Sequence, residues 1–286
     1  MLKTASGFGS VFLLAPDGKT LEPVPFVRPG RTPTRAPLLF IHGIEFASPE
    51  ESLEDLVWPI LEALGPQRVA DRSIYVFAWN SLLNNQVAIR DVIRNASLFD
   101  RLRLLFRELP RCRIYLKDVE RRAKEAAHHL LPFVLDWGSE NQMGPTVISH
   151  SMGSLVWAET LKLVLNSSQH LAKPGIWWAL QPAMHRWSFA DGGEYSVVPK
   201  LYTGADSARA VVWYSRLDFI LSTIYLLSKR GFALGQYGCP VGTIPQKDVT
   251  QWVREAHGMR HLRTKWGHFF ERIKPLIAEQ ADLFGI

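Results

Sequence analysis

Thr146-Val-Ile-Ser149-His150-Ser151-Met152-Gly153-Ser154-Leu155 decides how this chain is read. Residues 146–149, with Val147 and Ile148 at their centre, read as a buried strand. A helix over 155–165 follows directly. A strand that runs straight into a helix leaves a tight turn between them, and Ser151 sits in that turn. A serine so placed projects its hydroxyl above the sheet, and the helix amino terminus behind it favours developing negative charge. Ser149 and Gly153, two residues to either side, are small enough for the turn to close.

Outward from this stretch the same alternation repeats. Towards the amino terminus, 37–42 is a continuously apolar strand. A helix follows it, with Ser48 as its cap, Pro49 in its first turn and Glu51 completing a capping box. Gly65-Pro66 ends that helix, and 73–79 is again strand-like. Residues 10–14 and 21–27 read as an antiparallel pair around Pro16-Asp17-Gly18. Residues 80–117 read as irregular, with one helix near 96–109, and a longer helix covers 118–137. Beyond the central stretch, 176–180 and 208–214 are strands, 249–253 is a shorter one, and a helix spans 269–283. The pattern predicts an α/β class: a mostly parallel central sheet with helices on both faces, in a single domain over 1–286. Residues 80–135 are longer than a helix with two loops and read as a helical insertion or cap. In such sheets, sites gather at the carboxyl ends of the strands.

Composition narrows the function classes. The chain has 286 residues, 47% of them apolar, with ten Trp, seven Tyr and fifteen Phe, which excludes a disordered chain. The net charge of +6 identifies no partner, and the arginines are scattered without an aromatic stacking platform, so nucleic-acid binding is not expected. Two cysteines exclude a disulfide framework and an all-cysteine metal site. The longest apolar stretch, near Phe219, is far short of a membrane span, and the first sixteen residues do not read as a cleaved leader. A cytoplasmic location is the expectation.

Ser149-His150-Ser151-Met152-Gly153 resembles the nucleophile elbow of the α/β-hydrolase family, commonly Gly-His-Ser-Met-Gly, and departs from it at Ser149. Leu39-Phe-Ile-His42-Gly43-Ile44 resembles the segment that gives this family an oxyanion donor. The likeness covers most of 36–283, best at 37–44, 146–156, 211–219 and 266–271. It implies the α/β-hydrolase fold and a triad in the order serine, acid, histidine, with no metal or organic cofactor. Four aspartates, Asp191, Asp206, Asp218 and Asp248, follow Ser151 within the useful span. Asp206 and Asp248 read as preceding strands and are set aside. Asp218, four residues past a strand end, is favoured as the acid, with Asp191 as the fallback. His257, His261 and His268 follow the acid. Trp266-Gly267-His268 resembles the family's Gly-His loop, so His268 is expected as the base, with His261 and His257 as alternatives. The oxyanion donors implied are the N–H groups of Met152 and Ile44, with Gly43 as alternative to Ile44.

The function expected on this resemblance is a serine esterase or lipase-like activity: hydrolysis of a small-molecule or lipid carboxylic ester through an acyl-enzyme on Ser151. A non-catalytic hydrolase-fold binding or scaffolding protein is the alternative. Gly43, His150 and Phe219 are the expected pocket residues. One of Trp177, Trp178 and Trp187 is expected to face the substrate, and Trp79 to shape the mouth. The apolar stripe Leu98, Phe99, Leu102, Leu105, Phe106 and Leu109 runs beside Arg101, Arg103 and Arg107. It suits a helix packed on the sheet, and peripheral membrane contact is its other use.

Overall fold

In the computed structural model, which describes residues 9–24, 36–43, 49–81, 98–140, 144–167, 175–202, 209–229, 231–240, 244–257 and 267–286, eight strands form one sheet. They are β1 (Ser10–Leu14), β2 (Leu21–Pro23), β3 (Leu38–Ile41), β4 (Ile74–Ala78), β5 (Thr146–His150), β6 (Trp177–Leu180), β7 (Ala210–Tyr214) and β8 (Gln246–Asp248). Their spatial order is β2-β1-β4-β3-β5-β6-β7-β8. From β4 to β8 every neighbouring pair is parallel, and β1 runs antiparallel to both β2 and β4. The β1–β2 hairpin turns where the Asp17 carboxylate accepts the backbone N–H groups of Lys19 and Thr20. The carboxyl ends of β3 to β8 therefore share one edge. Chain order reverses at β3, with β4 on one side and β5 on the other, and the crevice above that point is where open α/β sheets place ligands.

The helices divide between two faces because successive side chains of a strand point to opposite sides. On one face lie α1 (Pro49–Ser52), a π-helical turn (Leu53–Val57) and α2 (Trp58–Leu64). Pro59 explains the wider turn. It has no N–H to donate, and the Trp58 N–H reaches back five residues to Leu53 O. The other face carries α3 (Leu98–Glu140) and α4 (Gly153–Asn166). Trp177 joins the core under α3 and α4, while Trp178 and Trp213 meet edge to face, 4.8 Å apart, in the opposite core. Around the carboxyl edge lie α5 (Leu234–Tyr237) and α6 (Thr250–Val253), and α7 (Gly267–Phe284) closes the chain on the α2 face.

Two expectations change. Helix α3 is continuous across 98–140, with Pro110 and Pro132 inside it, where a break into two helices is expected. Tyr115, Leu116, Val119, Ala123, Ala126, Ala127 and Leu130 are buried against the sheet, so from about Tyr115 onward α3 is a covering layer. The side chains of the arginine-rich turns at 98–112 lie outside the described residues. The strand expected over 249–253 is instead a helical turn. The Asp248 carboxylate accepts the Thr250 N–H at 2.9 Å, a local side-chain-to-backbone turn that competes with the extended pairing favoured by the β-branched residues around it. Strand β8 comes just before, so Asp248 ends a strand rather than preceding one. Among the described residues no helix is long and apolar enough to cross a membrane.

Candidate active site

Ser151 follows β5 with φ of 51°, a left-handed conformation that costs a non-glycine residue of order 1–3 kcal/mol. Two bonds, one to the end of β6 and one to the loop after it, hold it there. The Ser151 N–H donates to Leu180 O at 3.0 Å, and its carbonyl accepts the Ala183 N–H at 3.1 Å. Gly153 is required on the helix side, because a Cβ there would overlap the carbonyl oxygens of Ile41 and His42. Ser149, where the resembling elbow has glycine, is fully buried and bonded. Its hydroxyl accepts the Trp177 indole N–H at 2.9 Å and lies 2.9 Å from the Ser154 hydroxyl.

Asp218 lies past the end of β7 and is completely buried. Its carboxylate takes three donors. Oδ1 accepts the Leu221 N–H at 3.0 Å; Oδ2 accepts the Gln181 amide at 2.6 Å and faces His257 Nδ1, also at 2.6 Å. His257 Nε2 lies 2.8 Å from Ser151 Oγ. A carboxylate can only accept, so Nδ1 carries the proton and Nε2 presents its lone pair to the serine hydroxyl. Serine, imidazole and buried carboxylate thus form one hydrogen-bonded line.

The histidine in that line is His257, not the expected His268. Arg254 ends α6 with φ of 49°, turning the chain back over the carboxyl edge. The turn is held by Ser215 Oγ donating to Arg254 O at 2.7 Å and the Phe219 N–H donating to Glu255 O at 3.3 Å. The Gln181 amide donates to Ala256 O at 2.7 Å. His268, by contrast, belongs to the first turn of α7, and the Gly267 before it is already helical rather than a loop hinge. The His268 side chain, and His261 altogether, lie outside the described residues. Asp191 is exposed in the loop after β6. Asp248 stands at the right edge of the sheet, but its carboxylate is engaged by Thr250 N–H and Arg216.

The loop after β3 closes the other side. A Cβ on Gly43 would stand 3.0 Å from Ser151 Cβ and 3.2 Å from His150 Nδ1, so the main chain passes directly against the serine. The Trp79 N–H donates to His42 Nε2, and His42 Nδ1 therefore donates to Gly43 O at 2.8 Å, fixing that carbonyl. Burial pushes the His42 imidazole down to about 4, so it stays neutral. His150 is buried as well, with its ring 4.9 Å from that of His257, and burial followed by the nearby His257 and His42 pushes it well below its ordinary value. Trp79 braces His42 through its indole N–H as well, at 3.0 Å to His42 O, and is 3% exposed, so it supports the loop rather than forming a mouth. Trp177 and Trp178 are buried in the two cores, while Trp187 is exposed. Phe219 is half-buried beside Asp218. Met152 starts α4 directly after the serine. Ile44 lies outside the described residues.

Sequence reasoning missed Gln181 and Arg254. Their signal is conformational: with Ser151 and Asp71 they are the non-glycine residues of positive φ among those described. Among the described residues no group of three His, Cys, Asp or Glu side chains could hold a metal ion. No protein-family model matches this sequence, and no curated protein matches it.

Proposed function

We propose that this protein is a serine hydrolase of α/β-hydrolase type that cleaves a carboxylic ester with an apolar acyl group. The observation that carries the reading is the His257 imidazole, held between Ser151 Oγ at 2.8 Å and Asp218 Oδ2 at 2.6 Å. That geometry suits general-base activation of the serine, since the ring reaches the proton it must take and the carboxylate fixes its tautomer. Support also comes from the left-handed turn at Ser151, at the carboxyl edge beside the reversal of strand order.

In the reaction, Ser151 Oγ attacks the carbonyl carbon as its proton passes to His257 Nε2. The N–H of Met152 and a second donor from the loop after β3, at Ile44 or Gly43, hold the oxyanion. The tetrahedral adduct collapses, the C–O bond to the alcohol breaks, and His257 gives its proton to the departing alkoxide. Water then attacks the acyl-enzyme while His257 takes one of its protons, and the acid leaves as the proton returns to Ser151. Asp218 stays ionised throughout and stabilises the imidazolium. Turnover of nitrophenyl esters of increasing acyl length tests the reading. Activity that rises with chain length and disappears in Ser151→Ala supports it; equal turnover by wild type and variant overturns it.

A further inference from the structure

The geometry points to Gln181 as a positioning residue that locks acid and base to each other through one side-chain amide; this inference rests on the serine hydrolase reading above. Gln181 is the first residue after β6, buried to 2% exposure, with φ of 43°. Its backbone N–H donates to Trp213 O at 2.9 Å, tying the turn to the end of β7, the strand that leads to Asp218. A carboxamide nitrogen has two protons, and both are used. One goes to Asp218 Oδ2 at 2.6 Å and the other to Ala256 O at 2.7 Å. Both partners are acceptors only, so the amide can be oriented in one way, nitrogen inward.

The two bonds have separate consequences. Asp218 Oδ2 is the same oxygen that faces His257 Nδ1, so the Gln181 N–H shares it with the imidazole and draws charge from it. Ala256 is the residue immediately before His257, so the second bond fixes where the imidazole is mounted. With the Leu221 N–H on Oδ1, the carboxylate is left without a free rotation. The left-handed backbone at Gln181 is the strain that aims the amide inward from a strand whose neighbours run into the core.

Gln181→Met keeps the volume and removes both donors; Gln181→Glu keeps the shape and turns the same atoms into acceptors facing acceptors. The positioning role predicts roughly hundredfold slower reaction of Ser151 with a fluorophosphonate in Gln181→Met, the size of loss expected from small misplacement of reacting groups. It also predicts that the acidic limb of the rate profile moves to higher pH, because an unshared Asp218 oxygen holds the imidazolium more strongly. In Gln181→Glu the loss is larger. The same midpoint is read without any reaction by NMR titration of the His257 ring in wild type and Gln181→Met. An upward shift supports the inference, and an unchanged midpoint in a folded variant overturns it. If the wild-type serine fails to react, the hydrolase reading falls, while the His257 titration still decides whether Gln181 sets the acid–base pair.

Discussion

Strands β5 and β6 end side by side, paired up to His150 and Leu180, and each runs into a non-glycine residue in left-handed conformation. After β5 that residue is Ser151, whose hydroxyl meets His257; after β6 it is Gln181, whose amide meets Asp218 and Ala256. The two turns share a positive φ at their first residue and have opposite visibility in the sequence. At Ser151 the chain enters a helix packed tightly against the end of β3, so Gly153 must lack a side chain. At Gln181 the chain enters a loop, and the next close approach, Gly235 against Gln181 and Pro182, lies far along the sequence. Local crowding writes a motif; crowding between distant segments does not.

The largest effects are expected at the Ser151 and His257 side chains themselves. Ser151→Ala and His257→Ala are each expected to lose about 10⁶-fold in turnover, since members of a triad act as a unit. His268→Ala is expected to stay near wild type; a collapse there with His257→Ala unaffected would reverse the assignment. The next effect is on the pH dependence of stability. Burial holds His42 at about 4 in the folded chain against 6.5 when exposed. Between those values the unfolded chain binds a proton that the folded chain does not. The contribution is therefore fully present above pH 6.5 and lost as pH falls towards 4, about 3 kcal/mol in all. Urea unfolding across this window should show a shallower slope in His42→Asn, and an unchanged slope would mean that His42 is not held neutral.

Two smaller effects probe the elbow's surroundings. Gly153→Ala forces a Cβ into the carbonyls of Ile41 and His42 and should cost about 1–3 kcal/mol. A urea midpoint equal to that of wild type would show that the helix can back away from β3. Ser149→Ala leaves the Trp177 indole N–H without its acceptor, a cost of about 1–2 kcal/mol, while the serine remains reactive. Loss of reactivity out of proportion to stability would give Ser149 a role in the reaction instead.

Much of the architecture is legible in the chain. The runs at 37–42, 73–79, 146–149, 176–180 and 208–214 fall on β3 to β7, because strands buried on both faces read as largely apolar runs. Asp218, the carboxylate that faces His257, is legible too, since it follows a clear strand at its carboxyl end. The histidine is not. Gly267-His268 reads as a hinge, yet Gly267 is the first residue of α7, whose Phe270, Ile273 and Ile277 pack on the α2 face. His257 is preceded by no glycine. Its turn depends on Arg254 in left-handed conformation and on bonds from Ser215, Phe219 and Gln181, residues 36 to 75 positions before their partners.

Whether His257 activates Ser151 is read from a fluorophosphonate adduct located by peptide mass spectrometry in wild type, His257→Gln and His268→Gln. Activation by His257 gives an adduct on Ser151 in wild type and His268→Gln, and none in folded His257→Gln. An adduct on Ser151 in His257→Gln at the wild-type rate, or its loss in His268→Gln alone, would contradict it.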